Sequence, residues 1–243
     1  MGAFLQSAVR LIYPPRCTTC GTHVDSDFGL CGPCWRDTPF ISALVCDHCG
    51  IPLMDGGGSE DDALCDECVK VARPWSRGRA ALLYRDNGRK LVLALKHGDR
   101  HDVVQPAALW MARAAQPLLG VTTVIAPVPL HWRRLAKRRF NQSALLSQAV
   151  AREVEVRHCP DLLRRTKPTP NLGGLGRDAR FTAVAGAIAM HPNRADLVRG
   201  AHVLLVDDVM TSGATLSAAA QACLAAGAAD VNILVLARAG KDA

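Results

Sequence analysis

The feature that most constrains the fold is the stretch of residues 203–215, with the sequence VLLVDDVMTSGAT. Four apolar residues lead directly into two aspartates, Asp207 and Asp208, and a small, hydroxyl-rich turn follows. An apolar run of this length that ends in turn residues predicts a buried parallel strand. The alanine-rich stretch beyond it predicts a helix. Such a strand–loop–helix unit binds ligands at the carboxyl end of a sheet.

The residues of this turn favour a phosphorylated sugar. Backbone N–H groups of a tight turn and of a helix N-terminus attract anions, and Gly213 lets the backbone approach a phosphate closely. Asp207 and Asp208 can accept hydrogen bonds from two adjacent sugar hydroxyls, or hold a hydrated Mg²⁺ ion. We therefore expect a phosphorylated ribose to bind the two aspartates and the residues that follow them, which are Val209, Met210, Thr211, Ser212, Gly213, Ala214 and Thr215.

Eight of the ten cysteines form C-x-x-C pairs near the amino terminus. Two such pairs supply the thiolates of a closed tetrahedral zinc site, and without a secretion signal we expect metal rather than disulfides. Two zinc ions are therefore expected. The simplest arrangement places one on Cys17, Cys20, Cys31 and Cys34 and the other on Cys46, Cys49, Cys65 and Cys68, and an arrangement that takes alternate pairs is also open. His23 and His48 are expected to be surface histidines rather than ligands.

The cysteine spacing and the later hydrophobic pattern predict two modules. Residues 1–75 would hold a short amino-terminal helix and the zinc ribbons, and residues 76–243 an α/β domain. Because the first module is poor in apolar residues, metal binding should supply most of its folding free energy. The acidic, glycine-rich residues 54–63 should form a mobile loop.

The net charge of +7 is concentrated in one part of the chain. Residues 121–182 hold 12 basic and 4 acidic residues, a balance of +8, and the remainder is close to neutral. Such a block favours polyanionic ligands, namely phosphates, pyrophosphate or nucleic acid. No apolar run reaches the length of a membrane span. We expect a cytoplasmic protein without membrane insertion.

A basic segment follows the predicted strand 122–130. Residues 131–143, HWRRLAKRRFNQS, interleave five Lys or Arg residues with Trp132 and Phe140. Placed after a strand of the same sheet, this segment is a natural pyrophosphate loop, because Arg presents a fork suited to phosphate oxygens. Basic residues mixed with aromatics also suit single-stranded nucleic acid. Asn141 could instead simply cap the next helix.

The remaining elements follow from hydrophobic periodicity and turn residues. Residues 162–181 contain Pro, Gly and basic residues without a clear period, so we expect a long irregular loop that closes over the substrate. The other expectations are a turn at 86–88, helices over 89–98, 103–116, 142–154 and 215–226, and strands over 184–188 and 231–238.

The order of the parts resembles the ComF family, in which a double zinc ribbon precedes a type I phosphoribosyltransferase domain. The resemblance is carried by four cysteine pairs and then by ALKHGD, APVPLHWRRLAKRRFNQS, RRTKPTPNLGGLGRDAR and LLVDDVMTSGAT, the last similar to the motif that binds phosphoribosyl pyrophosphate (PRPP). It implies an α/β fold with a mainly parallel sheet flanked by helices. It also implies a link to DNA uptake in natural competence, where the family is associated with incoming single strands.

The resemblance also assigns roles to individual residues. It implies that Asp207 and Asp208 are the ribose and Mg²⁺ carboxylates. If the protein is an enzyme, we expect Arg133, Arg139 and nearby Lys137 to stabilise the leaving pyrophosphate. Arg139 stands where the family usually has glycine, and His97, Asn171 and Thr182 also depart from the usual pattern. The family's VPLHxxR and GFNQ motifs fall on Pro129, Leu130, His131 and Arg133, and on Phe140, Asn141 and Gln142.

Two functions are consistent with these residues. The first is an enzyme that transfers the phosphoribosyl group of PRPP to an unidentified acceptor with loss of pyrophosphate. The second is a non-catalytic protein whose zinc module and basic segment bind single-stranded DNA or a partner in the DNA-uptake machinery. The fold alone does not decide between these two functions.

Overall fold

The computed structural model describes most of the chain, namely residues 14–25, 29–42, 44–53, 63–97, 100–170 and 174–240. The expected amino-terminal helix and nearly all of the expected mobile loop at 54–63 lie outside these residues. No helix in the described part of the chain combines the length and the apolar character needed to cross a membrane.

A five-stranded parallel sheet forms the centre of the molecule, as the sequence predicts. In spatial order its strands are β1 (Arg77–Leu83), β7 (Asp230–Arg238), β6 (His202–Met210), β2 (Thr123–Pro127) and β3 (Arg157–His158). In the register of the middle strands, Val203 lies beside Val124 on one side and Val231 on the other. These strands are buried on both faces, which explains their continuous apolar sequences.

Helices cover both faces of the sheet. One face packs against α3 (Asp86–His97), α4 (Val104–Ala115) and α6 (Gln142–Glu153), and the other against α9 (Ala214–Ala225). The helix expected at 89–98 is thus confirmed as part of α3, and its apolar residues Leu91, Val92 and Leu95 are all buried. The turn expected at 86–88 is instead the first turn of α3, which begins at Asp86 with a positive φ of 46°.

A small second sheet corrects two expectations. Strand β4 (Leu163–Arg165) pairs antiparallel with β5 (Ile188–Met190), and α7 (Arg177–Val184) lies between them in sequence. Residues 162–181 are therefore not one irregular loop, and the strand expected at 184–188 begins only at Ile188. Each of these strands has three residues, too few for a periodic pattern to show.

The basic segment also differs from the expectation. Residues Trp132–Arg138 form a short helix, α5, where a loop was expected after the strand. Strand β2 ends at Pro127, earlier than residue 130, while β6 continues through both aspartates to Met210. A further short helix, α8, spans Ala195–Val198, and 3-10 helices lie at His101–Val103, Gln116–Leu118 and Pro192–Arg194.

The cysteine-rich module contains two short helices, α1 (Gly32–Arg36) and α2 (Asp66–Lys70). Isolated bridges, Arg16 with His23 and Val45 with Pro52, close the turn in each half. The second half shares a hydrophobic cluster with the sheet, in which Cys46, Cys49, Cys68 and Trp75 pack with residues of β6 and α9. The second half is thus built into the core of the larger domain.

Candidate functional site

Two groups of four cysteines form candidate zinc centres. In each group the Sγ atoms all lie within 4.8 Å of one another. The structure selects the arrangement of consecutive pairs: Cys17, Cys20, Cys31 and Cys34 form one group, and Cys46, Cys49, Cys65 and Cys68 form the other. Four thiolates at this spacing fit a closed, tetrahedral zinc site with no open catalytic position.

The two centres have different surroundings. In the first, Cys20 is exposed, and a hydrogen bond with the hydroxyl of Thr22, 3.0 Å away, lowers the pKa of its thiol to about 6. In the second, Cys46, Cys49 and Cys68 are all buried. The first centre is therefore the one within reach of solvent.

The second centre lies directly against the sheet. A Cβ on Gly50, whose φ is +69°, would lie 2.8 Å from the backbone nitrogen of Ala80 in β1. The indole of Trp75 donates to the carbonyl of His48 at 2.6 Å. His23 is exposed as expected, whereas His48 is half-buried because of this packing, and neither belongs to a metal group.

The acidic pair lies near the carboxyl end of β6. The hydroxyl of Ser143, in the first turn of α6, donates to Asp207 at 2.7 Å, and the ammonium of Lys96, at the end of α3, lies 3.1 Å from Asp208. Burial, and then the charge of Asp208, raise the pKa of Asp207 to about 7, against the opposing effect of Ser143 and Lys96. Ionising this carboxyl group is costly when no ligand is bound. A bound cation, or sugar hydroxyls that donate hydrogen bonds to it, would stabilise its charged form.

The loop between β6 and α9 presents free amides. Gly213 caps α9 with a φ of +81°, and a Cβ there would lie 2.9 Å from Met210 and 3.0 Å from Arg73. The amides of Ser212 and Gly213 donate to no other group in the described part of the chain. Because these N–H groups stand at a helix N-terminus, they are available to an anion.

Two buried arginines hold the carbonyls of this loop. Arg73 donates to the carbonyl of Ser212 at 2.8 Å, and Arg238 donates to that of Thr211 at 2.9 Å. The side chains of both arginines are almost fully buried. With its carbonyls bound from behind, the loop keeps a fixed shape in which its amides stay unpaired.

The same arginines converge on Glu67 in α2. Glu67 accepts from Arg73 at 3.0 Å and from Arg238 at 3.1 Å, and Arg177 lies 3.2 Å away. We call these four residues the Glu67 cluster. Three guanidinium groups and one carboxylate give it a formal balance of +2, which adds to the attraction of the neighbouring loop for anions.

Two hydroxyl groups of the loop already accept hydrogen bonds from neighbouring protein groups. Arg180 of α7 donates to the hydroxyl of Thr211 at 2.9 Å. The hydroxyl of Ser212 accepts from the amide of Ala214 at 3.4 Å. The loop thus lies between α7 on one side and the Glu67 cluster on the other.

The residues of the basic segment serve mainly as helix caps. His131 accepts from the amide of Arg133 at 3.3 Å, and Asn141 accepts from that of Ser143 at 3.1 Å while donating to the carbonyl of Val128. Arg139 ends α5 with a φ of +67°, a conformation that glycine adopts at least cost.

The same segment carries an exposed aromatic surface. Trp132 is 65% exposed, and the guanidinium of Arg133 stacks on its ring at 5.3 Å from the centroid. Pro129 and Leu130 connect β2 to α5. Within the described residues, no hydrogen bond or ion pair joins Arg133 or Arg139 to the acidic pair.

Several residues around the site were not identified from the sequence. Lys96 lies within the ALKHGD motif, and Ser143 directly follows Asn141 and Gln142, so the motifs held a signal for both. The others come from distant segments. Arg73, Arg180 and Arg238 contact the loop directly. Glu67 and Arg177 belong to the cluster behind it.

Comparison with known proteins identifies both halves of the chain. Residues 8–69 match the model of the double zinc ribbon domain, and residues 141–243 match that of the phosphoribosyl transferase domain. Among solved structures, the allosteric regulatory enzyme of purine biosynthesis is 16% identical with a TM-score of 0.40, over 59% of this chain and 30% of its own. Hypoxanthine-guanine phosphoribosyl transferase of L. donovani is 18% identical with a TM-score of 0.33, over 61% of this chain and 71% of its own.

Curated relatives match nearly the whole chain. DNA utilization protein YhgH of Salmonella typhimurium is 30% identical over 235 residues, covering 94% of this chain and 99% of the relative. YhgH of Escherichia coli K12 is 29% identical over 216 residues, covering 87% and 91%. Competence protein F of Haemophilus influenzae is 26% identical over 231 residues, covering 92% and 97%. With a cysteine-rich double zinc ribbon packed on a phosphoribosyltransferase-type parallel sheet, the chain belongs to the ComF family, together with YhgH and Competence protein F.

Proposed function

We propose that this protein binds PRPP, or another phosphorylated ribose, together with Mg²⁺, and transfers the phosphoribosyl group to a nucleophilic acceptor. One observation carries the proposal. The carboxylates of Asp207 and Asp208 lie on the strand that leads directly into a loop whose amides at Ser212 and Gly213 donate to no other group in the described ranges of the chain. A ribose diol and its phosphate need acceptors and donors at this close spacing.

The residues divide between the two ends of the sugar. Asp207 and Asp208 would accept hydrogen bonds from the ribose hydroxyls and hold the Mg²⁺ ion, for which the raised pKa of Asp207 is a favourable sign. Bound Mg²⁺ supplies positive charge that stabilises the pyrophosphate oxygens. The phosphate would lie on the loop made by Thr211, Ser212, Gly213, Ala214 and Thr215.

The proposed transfer is a substitution at the C1 carbon of the ribose. A lone pair of the acceptor forms a bond to C1 while the bond from C1 to the pyrophosphate oxygen breaks, and pyrophosphate leaves with that electron pair. A proton on the acceptor passes to water. Arg133 and Arg139, with the segment formed by Pro129, Leu130 and His131, are proposed to bind the leaving group.

The names of the relatives suggest the cellular context. YhgH is called a DNA utilization protein and its relative a competence protein. We therefore propose that this protein acts in the cytoplasm in the uptake or use of DNA. We also propose 1–75 and 76–243 as the bounds of its two domains.

A second candidate function is binding of single-stranded DNA. Trp132 is exposed, and Arg133 stacks on its ring, an arrangement on which a base can stack next to a guanidinium that pairs with phosphate. The balance of +8 over residues 121–182 favours the same ligand. In this case the basic helix and the zinc module would bind DNA without chemistry.

Two variants separate the functions. Asp207→Asn with Asp208→Asn should abolish calorimetric binding of PRPP and leave the affinity for a fluorescent oligothymidine unchanged. Trp132→Ala should weaken oligothymidine binding by about tenfold and leave PRPP binding unchanged. If the aspartate variant binds PRPP as the wild type does, the proposed sugar site is wrong.

A further inference from the structure

Arg165, at the end of β4, carries a buried guanidinium. It is 9% exposed, and its buried Nε atom has no hydrogen-bond partner among the residues that the structure describes. Its Nη2 atom donates to the hydroxyl of Thr169 at 2.8 Å. Within the described residues it forms no ion pair with any carboxylate. A buried charge without a partner is strongly unfavourable, so proteins seldom keep one without a use for it.

A second arginine converges on the same place. Arg134 of α5 donates through Nη2 to the carbonyls of Thr169 and Pro170, at 3.1 and 2.8 Å. Burial, and then the charge of Arg134, lower the pKa of Arg165. Two positive charges therefore lie close together where burial weakens the screening between them. A bound anion would offset their repulsion.

The connection of β2 to α5 brings this pair to the end of the sheet that carries the acidic pair. Arg134 lies in α5, which follows β2, and Pro127 at the end of β2 pairs with Val206, the neighbour of Asp207. In agreement with this placement, the charge of Asp207 raises the pKa of Arg165. Neighbouring Arg164 points to the other side of β4 and is exposed. Arg165 thus lies on the inward face of the strand, together with Leu163.

We propose that Arg165 and Arg134 form a second anion site, which binds a carboxylate or phosphate carried by the acceptor. The assignment of this anion to an acceptor rests on the proposed phosphoribosyl transfer. A guanidinium presents several N–H donors in a plane and binds both oxyanions in the same way. The acceptor is accordingly a nucleophile with an oxyanion attached, and a neutral heterocycle is a poor substrate.

The test uses small probes that differ in charge. Benzoate, phenyl phosphate and neutral benzamide are titrated calorimetrically into the zinc-loaded full chain, with and without saturating Mg²⁺ and PRPP. The wild type should bind at least one anion about tenfold more tightly than benzamide. Preference for benzoate or for phenyl phosphate then distinguishes a carboxylated from a phosphorylated acceptor.

Two variants on one strand provide the comparison. Arg165→Gln should lose the anion preference and keep PRPP binding, whereas Arg164→Gln, which removes an exposed charge from the same strand, should keep both. Equal anion binding by wild type and Arg165→Gln would overturn the proposal, as would an absence of anion preference in the wild type. In either case Arg165 only fixes the position of Thr169.

Thermal unfolding gives a second readout. In a buffer without oxyanions, Arg165→Met should unfold at a temperature no lower than the wild type, because it removes an unpaired buried charge. Added phenyl phosphate should raise the unfolding temperature of the wild type more than that of the variant. A variant that is clearly less stable, with an unchanged response to the anion, would contradict the proposal.

The experiments distinguish a failure of the second anion site from a failure of the proposed phosphoribosyl transfer. Binding of PRPP without an Arg165-dependent anion preference would leave the sugar site standing and remove the second anion site. An Arg165-dependent preference in a protein that does not bind PRPP would keep the anion site and remove its assignment to an acceptor.

Discussion

Glu67 and Arg238 are 171 residues apart in the sequence, and their side chains meet at 3.1 Å. Glu67 lies between Cys65 and Cys68 of the second zinc centre. Arg238 also donates to the carbonyl of Thr211 in the proposed phosphate loop. One carboxylate therefore connects the zinc ribbon to the loop, so the ribbon forms part of the support of the site.

Replacing Glu67 should weaken both stability and ligand binding. Glu67→Gln leaves the guanidiniums of Arg73 and Arg238 buried without a charged partner, and we expect a loss of about 1–3 kcal/mol in the free energy of unfolding. Affinity for PRPP should fall because the loop carbonyls lose their fixed donors. Urea denaturation and calorimetry measure the two effects. Lys70→Gln, on the exposed side of the same helix, is the control, and equal affinities for the two variants would show that the cluster does not support the loop.

The two zinc centres should differ in lability. A chelator should remove metal from the first centre, where Cys20 is exposed, faster than from the second, whose cysteines are mostly buried. Zinc release followed with a chromogenic chelator should therefore show two phases. Release in one phase would argue against this difference between the centres.

Ligand variants should separate the centres further. Cys68→Ser should lower the free energy of unfolding by more than about 4 kcal/mol, because the second centre lies in the core of the sheet. Cys20→Ser should also lose one zinc ion, but it should weaken PRPP binding much less than Cys68→Ser does. Metal analysis of each purified variant checks the zinc content.

The raised pKa of Asp207 makes stability depend on pH. The unfolded chain releases this proton near the ordinary value of 3.8, and the folded protein only at about 7. Between those values the folded state holds more protons, so stability falls as pH rises, and the loss is complete above the folded pKa. Asp207→Asn stays neutral and keeps an acceptor for Ser143.

Measurements in the neutral range test this effect while zinc stays bound. Between about pH 6 and 8, the wild type should lose on the order of 1.4 kcal/mol of unfolding free energy relative to Asp207→Asn. Urea denaturation at several pH values gives the difference. Asp196→Asn, at a side chain that is 92% exposed, keeps Asp207 and should follow the wild-type curve. Parallel curves for wild type and Asp207→Asn would show that the pKa of Asp207 is not raised.

Filling the space at Gly213 should distort the loop. In Gly213→Val the new Cβ would lie 2.9 Å from Met210 and 3.1 Å from Trp75, in a backbone conformation with a φ of +81°. Strain at such a position costs about 1–3 kcal/mol, and we expect PRPP affinity to fall at least about tenfold. Gly120→Ala makes only ordinary contacts, the nearest at 3.7 Å, and serves as the control for calorimetry. Full affinity in the valine variant would mean that the loop does not bind the phosphate.

The local parts of the site could be predicted from the sequence. Residues 203–215 are interpretable because the apolar run, the acidic pair and the loop follow one another directly. The zinc centres are interpretable because C-x-x-C spacing restricts the ligand geometry. Arg139 is a case where the departure from the family's glycine marks a position that the structure holds at a positive φ.

The contacts between distant segments could not be predicted in this way. The folded sheet brings Lys96, Glu67 and Arg238 to the site from distant parts of the chain. Contacts of this kind leave no periodic pattern in the sequence. Strands β4 and β5 have three residues each, so they resemble loop in the sequence. The residues between α2 and β1 show no periodic pattern in the sequence, yet Arg73 and Trp75 among them are buried against the loop.

The most direct measurement is a calorimetric titration of the zinc-loaded wild-type protein with PRPP, performed with Mg²⁺ and in Mg²⁺-free buffer. If Asp207, Asp208 and the loop at 211–215 form a sugar-phosphate site, PRPP should bind saturably with one molecule per chain, and binding should require Mg²⁺. An absence of binding heat from the folded protein, or identical titrations in the two buffers, would contradict this assignment.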